Sequence, residues 1–200
     1  MRGMDGLMTP LWAEHAGMAL PNADGTPVVL MVATPGTTVR DEARSLVRIA
    51  LRSFLAKLAG CAPEAVALYA EPGEAPRAEL DGLRVQLSIS HEAGLSLAAV
   101  RTGGKVGVDL MRAADAAMPD WQAIAADYLG PATLAAITGH DAGQEQAAFA
   151  QAWTRHEAAL KCLGLPLQEW TPALGRELAR CHVRGLALPP SYVGAVALCG

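Results

Sequence analysis

The chain has 200 residues, enough for one domain or two small ones, and its 52% hydrophobic content and mean hydropathy of +0.22 supply a sizeable core. A net charge of −4 argues against general nucleic-acid binding, which needs a basic footprint. No apolar run is long enough to span a membrane and the N-terminal residues do not read as a signal peptide, so a cytoplasmic protein is expected.

Residues 1–27 mix Gly, Pro, Met and Asn with little pattern, although Leu11 and Trp12 suit a short strand. Pro27–Ala33 is a continuous apolar run and reads as a buried strand, ended by Thr34-Pro35-Gly36. Residues 40–59 are helical by composition and are followed by Gly60; Leu46, Ile49, Ala50, Phe54 and Leu58 are expected to form the buried side. Arg40, Arg44, Arg48 and Arg52 recur every fourth residue and stack in one column of like charge. Such a column either faces solvent or meets anions, a phosphate or an acidic protein surface.

Prolines make residues 62–82 mostly loop, with a short strand near Ala65–Ala70. Alternation then becomes clean. Leu83, Val85, Leu87 and Ile89 point one way, with His91 continuing that row, while Arg84, Gln86, Ser88 and Ser90 point the other. Leu95–Val100 is a second strand, joined to the first by a tight hairpin at Glu92-Ala93-Gly94. The turn Thr102–Lys105 divides the chain into two expected subdomains, 1–103 and 104–200. On the strand 106–111, Val106, Val108 and Leu110 share one face, and Gly107, Asp109 and Met111 share the other.

Short helices are expected over Pro119–Tyr128 and Pro131–Ile137, then a long one from about Gln144 to Leu163, stopped by Gly164 and Pro166. Phe149, Trp153, Leu160 and Leu163 form its apolar stripe. Glu157 and Lys161, one turn apart at the rim of that stripe, form either a helix-stabilising pair or the wall of a cleft. Val183–Leu188 and Tyr192–Leu198 read as a closing hairpin. Cys61, Cys162, Cys181 and Cys199 are widely spaced with no CxxC pair. That spacing disfavours a zinc site, and the four read as small buried hydrophobes in a reducing compartment.

Three marks stand in order: Ser90-His91 at a strand end, Gly107-Val108-Asp109 on a strand, and Trp153-x-x-x-Glu157-x-x-x-Lys161 on a helix. In this order the sequence resembles the 4'-phosphopantetheinyl transferase superfamily, of the surfactin-synthetase-activating type with two pseudo-repeated halves in one chain. The resemblance covers roughly residues 28–200 and implies an α+β fold of two similar subdomains related by pseudo-twofold symmetry. It implies transfer of the phosphopantetheine arm of coenzyme A to a serine of an acyl or peptidyl carrier protein, releasing 3',5'-ADP. Such a protein is expected to act as a monomer, with no nucleic-acid or membrane partner.

The resemblance also assigns roles. Asp109 and Glu157 would hold Mg²⁺, a hard cation that takes oxygen ligands. Glu157 and Lys161 would be catalytic, the one taking the serine proton and the other meeting the diphosphate. Ser90, His91 and Lys161 would contact coenzyme A phosphates, and Arg44 and Arg48 would help hold the nucleotide or the acidic carrier. Two positions depart from the family pattern: Met111 stands where many members have a second strand carboxylate, and His156 where a Lys precedes the helix Glu. The segment Gly73-Glu74-Ala75-Pro76-Arg77 also departs, from a Gly-Lys-Pro-like motif. These departures leave open a member that binds carrier or coenzyme A without turnover. A serine hydrolase built on Ser90 and His91 is disfavoured, because neighbouring strand residues face opposite ways and no nucleophile-elbow motif is present.

Overall fold

The computed structural model describes residues 7–14, 16, 25–34, 40–71, 74–80, 82–113, 118–141 and 143–200. The expected turn at Pro35-Gly36 and the residue Gly73 lie outside these, as does the Arg40 side chain. The architecture is mixed α+β, with two sheets. Strands β1 (Leu11–Trp12), β2 (Val28–Thr34), β3 (Ala67–Tyr69), β4 (Arg77–Leu80), β5 (Leu83–Glu92) and β6 (Gly94–Thr102) form a six-stranded sheet in the order β1-β2-β6-β5-β4-β3. Strands β7 (Lys105–Arg112), β8 (His182–Gly185) and β9 (Tyr192–Cys199) form a three-stranded sheet in the order β7-β9-β8. The chain passes from one sheet to the other at Gly103 and Gly104, both at positive φ, which glycine adopts without a Cβ penalty.

Helix α1 (Arg40–Ala59) packs on the larger sheet through Val47, Leu51, Phe54 and Leu55, against Leu30, Val32, Val85, Leu87, Ala98 and Val100. The other face of that sheet, Val29, Met31, Leu95, Leu97 and Ala99, packs on Val106, Val108, Leu110 and Val196 of the smaller sheet. This two-sided burial is why β2 and β6 read as unbroken apolar runs. Beyond the smaller sheet come α2 (Trp121–Ile124, continuing as one π turn to Leu129), α3 (Pro131–Thr138), α4 (Glu145–Leu163) and α5 (Pro172–Leu178). None of the helices among the described residues is long and apolar enough to cross a membrane.

Several expectations change. The buried side of α1 is rotated: Val47, Leu51 and Leu55 are inside, whereas Leu46 and Ile49 are 38% and 63% exposed. Apolar residues cover more of that helix than the sheet can meet, and the stripe through Ala43, Val47, Leu51 and Phe54 takes the contact. Leu83 is 53% exposed, at the start of β5 beyond the cover of α1. Ser88 and Ser90, on the face of β5 opposite Val85 and Leu87, are buried too, where β7 crosses the end of β5. Ser88 Oγ there accepts the backbone N–H of Val108 at 3.0 Å. Strand β4 and helix α5 lie in stretches too rich in Pro and charge to show a period. The cysteines differ as well. Cys61 is exposed and Cys162 is a buried free thiol, but Cys181 and Cys199 are joined by a disulfide. The register His182↔Leu198 sets these two directly opposite at the end of the β8–β9 pair, a juxtaposition their sequence spacing does not reveal.

Candidate active site

The site forms where α4 crosses β7. Because Val106, Val108 and Leu110 turn to the larger sheet, Gly107, Asp109 and Met111 turn to α4. At Gly107 a Cβ would fall on the Ala158 carbonyl oxygen and the Cys162 backbone nitrogen, so only glycine lets the helix lie this close. Ala158 and Ala159 complete the approach, packing on Ala195 and Ala197 of β9. The helix ends at Gly164 in the left-handed conformation, whose N–H caps the last turn.

Asp109, 7% exposed, is the centre of a buried cluster. Lys161 Nζ lies 2.6 Å from Asp109 Oδ1 and donates to Ser90 Oγ at 3.4 Å. Ser90 in turn donates to Asp109 Oδ1 at 2.9 Å. Three residues of β5, β7 and α4 thus share one hydrogen-bond network in a low-dielectric setting, where charged hydrogen bonds are strong. Glu157 lines the same cleft, and its carboxyl is held above its ordinary range. Burial is the main cause; the Asp109 charge adds to it, and Lys161 opposes it.

This cleft encloses about 370 Å³. It adjoins a larger one of about 740 Å³, Ile89, His91 and Lys161 bordering both. The larger cleft is lined by Arg44 and Arg48 of α1, by Glu71, Glu74 and Pro76, and by the end of α4 at Gly164–Pro166. Two guanidiniums of the arginine column therefore reach the cleft, while Arg52 is exposed elsewhere on the helix. The segment after Gly73 lines it too, with Arg77 held to Glu74 at 2.8 Å.

Of the sequence-derived residues, Ser90, His91, Asp109, Glu157 and Lys161 border the smaller cleft, and Arg44, Arg48, His91 and Lys161 the larger. His91 Nδ1 is 2.8 Å from Ser96 Oγ, its partner across the β5–β6 ladder, and not from Ser90. Ser96 is fully buried, so neither serine is an accessible nucleophile with a histidine base. His156 does not join the cluster. It is buried on another side of α4, beside Trp153, with Nε2 unpartnered and its pKa lowered by burial.

One further carboxylate borders the cleft and was missed from sequence: Glu92, assigned above only to the hairpin. Its position next to His91 at the end of β5 is the sole signal that could have found it. Glu92, Asp109 and Glu157 are hard oxygen donors on the wall of one cleft, where burial and the Asp109 charge raise the Glu157 carboxyl and a bound cation would lower it. Carboxylate oxygens are the ligand type a cation of the Mg²⁺ kind takes, and the nearby Met111 thioether is not; as the side chains stand, the Lys161 ammonium neutralises Asp109.

Residues 105–188 match the family model of the 4'-phosphopantetheinyl transferase superfamily, a span that contains Asp109, Glu157 and Lys161. No curated protein matches the sequence. That match covers the part of the chain that supplies Asp109, Glu157 and Lys161, and over it the chain is similar to the 4'-phosphopantetheinyl transferase superfamily.

Proposed function

We propose that the protein transfers the 4'-phosphopantetheine arm of coenzyme A to a serine of an acyl or peptidyl carrier protein in a Mg²⁺-dependent reaction that releases 3',5'-ADP. The observation that carries this reading is the convergence of Asp109, Glu157 and Lys161 on one cleft that opens beside a larger one edged by Arg44 and Arg48. In the same reading the halves 1–103 and 104–200, each a strand, a long helix and antiparallel strands, are two pseudo-repeated units of a monomer.

Asp109 and Glu157, with Glu92 on the same cleft wall, would hold the metal. A bound Mg²⁺ supplies charge neutralisation at the diphosphate that breaks. Lys161 acts as a point charge on the same diphosphate, and Ser90 keeps Asp109 oriented. Glu157, whose carboxyl burial and the Asp109 charge make more basic, takes the proton of the incoming serine. His91, at the border of both clefts, and the Arg44–Arg48 pair hold the nucleotide end of coenzyme A.

Incubation of the protein with coenzyme A, Mg²⁺ and a panel of apo carrier proteins tests this. The expected result is a mass increase of one phosphopantetheine on a carrier serine, absent in Asp109→Ala. A panel that binds but never gains mass would instead establish a binding module, the reading that buried His156 favours by removing one cation from the cleft.

A further inference from the structure

The buried face behind the cleft carries a second chemical cluster. The sulfurs of Cys162, Cys181 and Cys199 all lie within 4.8 Å of one another. Two are joined as the Cys181–Cys199 disulfide, with Cα atoms 4.9 Å apart; the third is the free thiol of Cys162 on the last turn of α4. The Cys181 sulfur also sits 4.0 Å from the Ala159 carbonyl oxygen, against the same helix. Burial raises the Cys162 thiol, while the Cys199 backbone N–H and the nearby Arg101 and Lys105 favour its thiolate. Cys181 is half-buried and borders a cavity of about 570 Å³ that also meets Arg155, His156, Trp170 and His182.

We propose that Cys162, Cys181 and Cys199 form a thiol–disulfide exchange site in which the cross-link can pass to Cys162. The Cys162 thiolate attacks Cys181 Sγ. A Cys162–Cys181 bond forms as the Cys181–Cys199 bond breaks, the electron pair leaves on Cys199 Sγ, and that sulfur takes up the proton Cys162 released. Attack at Cys199 Sγ gives the Cys162–Cys199 isomer in the same way. No oxidant is consumed, and a small dithiol entering beside Cys181 can open or reset the bond. The exchange changes what is tied together: the existing bond links the end of β9 to the start of β8, whereas a bond to Cys162 anchors the last turn of α4, one residue past Lys161.

Disulfide mapping of the full chain tests this. Protein carrying Cys61→Ser, to remove the exposed thiol, is equilibrated in mixtures of reduced and oxidised dithiothreitol, acid-quenched, alkylated, digested and weighed. Linked peptides containing Cys162 are expected beside Cys181–Cys199, and they are lost in Cys162→Ser. Cys199→Ser is expected to form Cys162–Cys181, and Cys181→Ser to form Cys162–Cys199. Should the parent protein hold only Cys181–Cys199 in every mixture, with Cys162 always recovered alkylated, the proposal is overturned. That measurement decides the matter even if a single-cysteine variant does not fold.

Discussion

Glu157 shows how a site residue can weaken the fold that carries it. Its folded-state pKa is raised, so the unfolded chain ionises first as pH climbs from about 4.5, and stability falls through the window between the ordinary and the raised value. Glu157→Gln removes that cost. Without metal at neutral pH, the variant is expected to melt roughly 1–3 °C higher than the parent, with the gain vanishing below about pH 4.5. If Glu157 acts as proposed, carrier modification is expected to drop about 10²-fold or more, since the substitution would remove a metal ligand and a proton acceptor together. Melting curves at several pH values check the first part; an unchanged or lower melting temperature at neutral pH would show that Asp109 and burial do not strain this carboxyl. The face of β7 that carries Asp109, and the rim position of Glu157 and Lys161 on α4, were legible in the sequence because each sits in a periodic element whose faces can be counted; that the three act together came from the family resemblance. Glu92 was not: a hairpin end has no period, and its place at the cleft depends on how β7 crosses β5.

At the scale of elements, the site depends on how closely α4 lies on β7. The long helix and both strands were readable from composition and alternation, and so was the side of β7 that carries Asp109. The depth of contact was not, because alanine contributes little to an apolar stripe, yet Ala158 and Ala159 are what let the helix settle on the sheet. The rotation of α1 was hidden for the opposite reason: its apolar residues are too many, and only the sheet decides which stripe is used. Gly107→Ala isolates the contact on α4. Its new methyl meets backbone atoms that cannot swing aside, so α4 must shift. A loss of about 1–3 kcal/mol in stability is expected, as for other overpacked sites, together with weaker carrier modification although no functional group has been removed. Denaturant unfolding and the mass-shift assay measure both, and a variant with full stability would mean that α4 is not held at the distance seen here.

In the whole molecule, the division at Gly103-Gly104 separates two sheets but not two cores. Val29, Met31, Leu95, Leu97 and Ala99 on one side and Val106, Val108, Leu110 and Val196 on the other form one buried cluster. That sharing was only partly visible beforehand: the unbroken apolar runs signalled strands buried on both faces, but not that the second face would meet the other half of the chain. Ser88 fastens the same junction with one hydrogen bond, from the Val108 N–H. The two halves are therefore expected to unfold in a single calorimetric transition. Ser88→Ala keeps the strand but leaves a buried N–H without its acceptor, at a cost of about 1–3 kcal/mol, which for a chain of this size lowers the melting temperature by roughly 2–10 °C. If the halves were independent, the substitution would move one of two transitions and leave the other in place. A single transition that shifts as a unit would show that the acids on β7 and α4 and the arginines on α1 belong to one cooperative body, as a cleft lined from both halves requires.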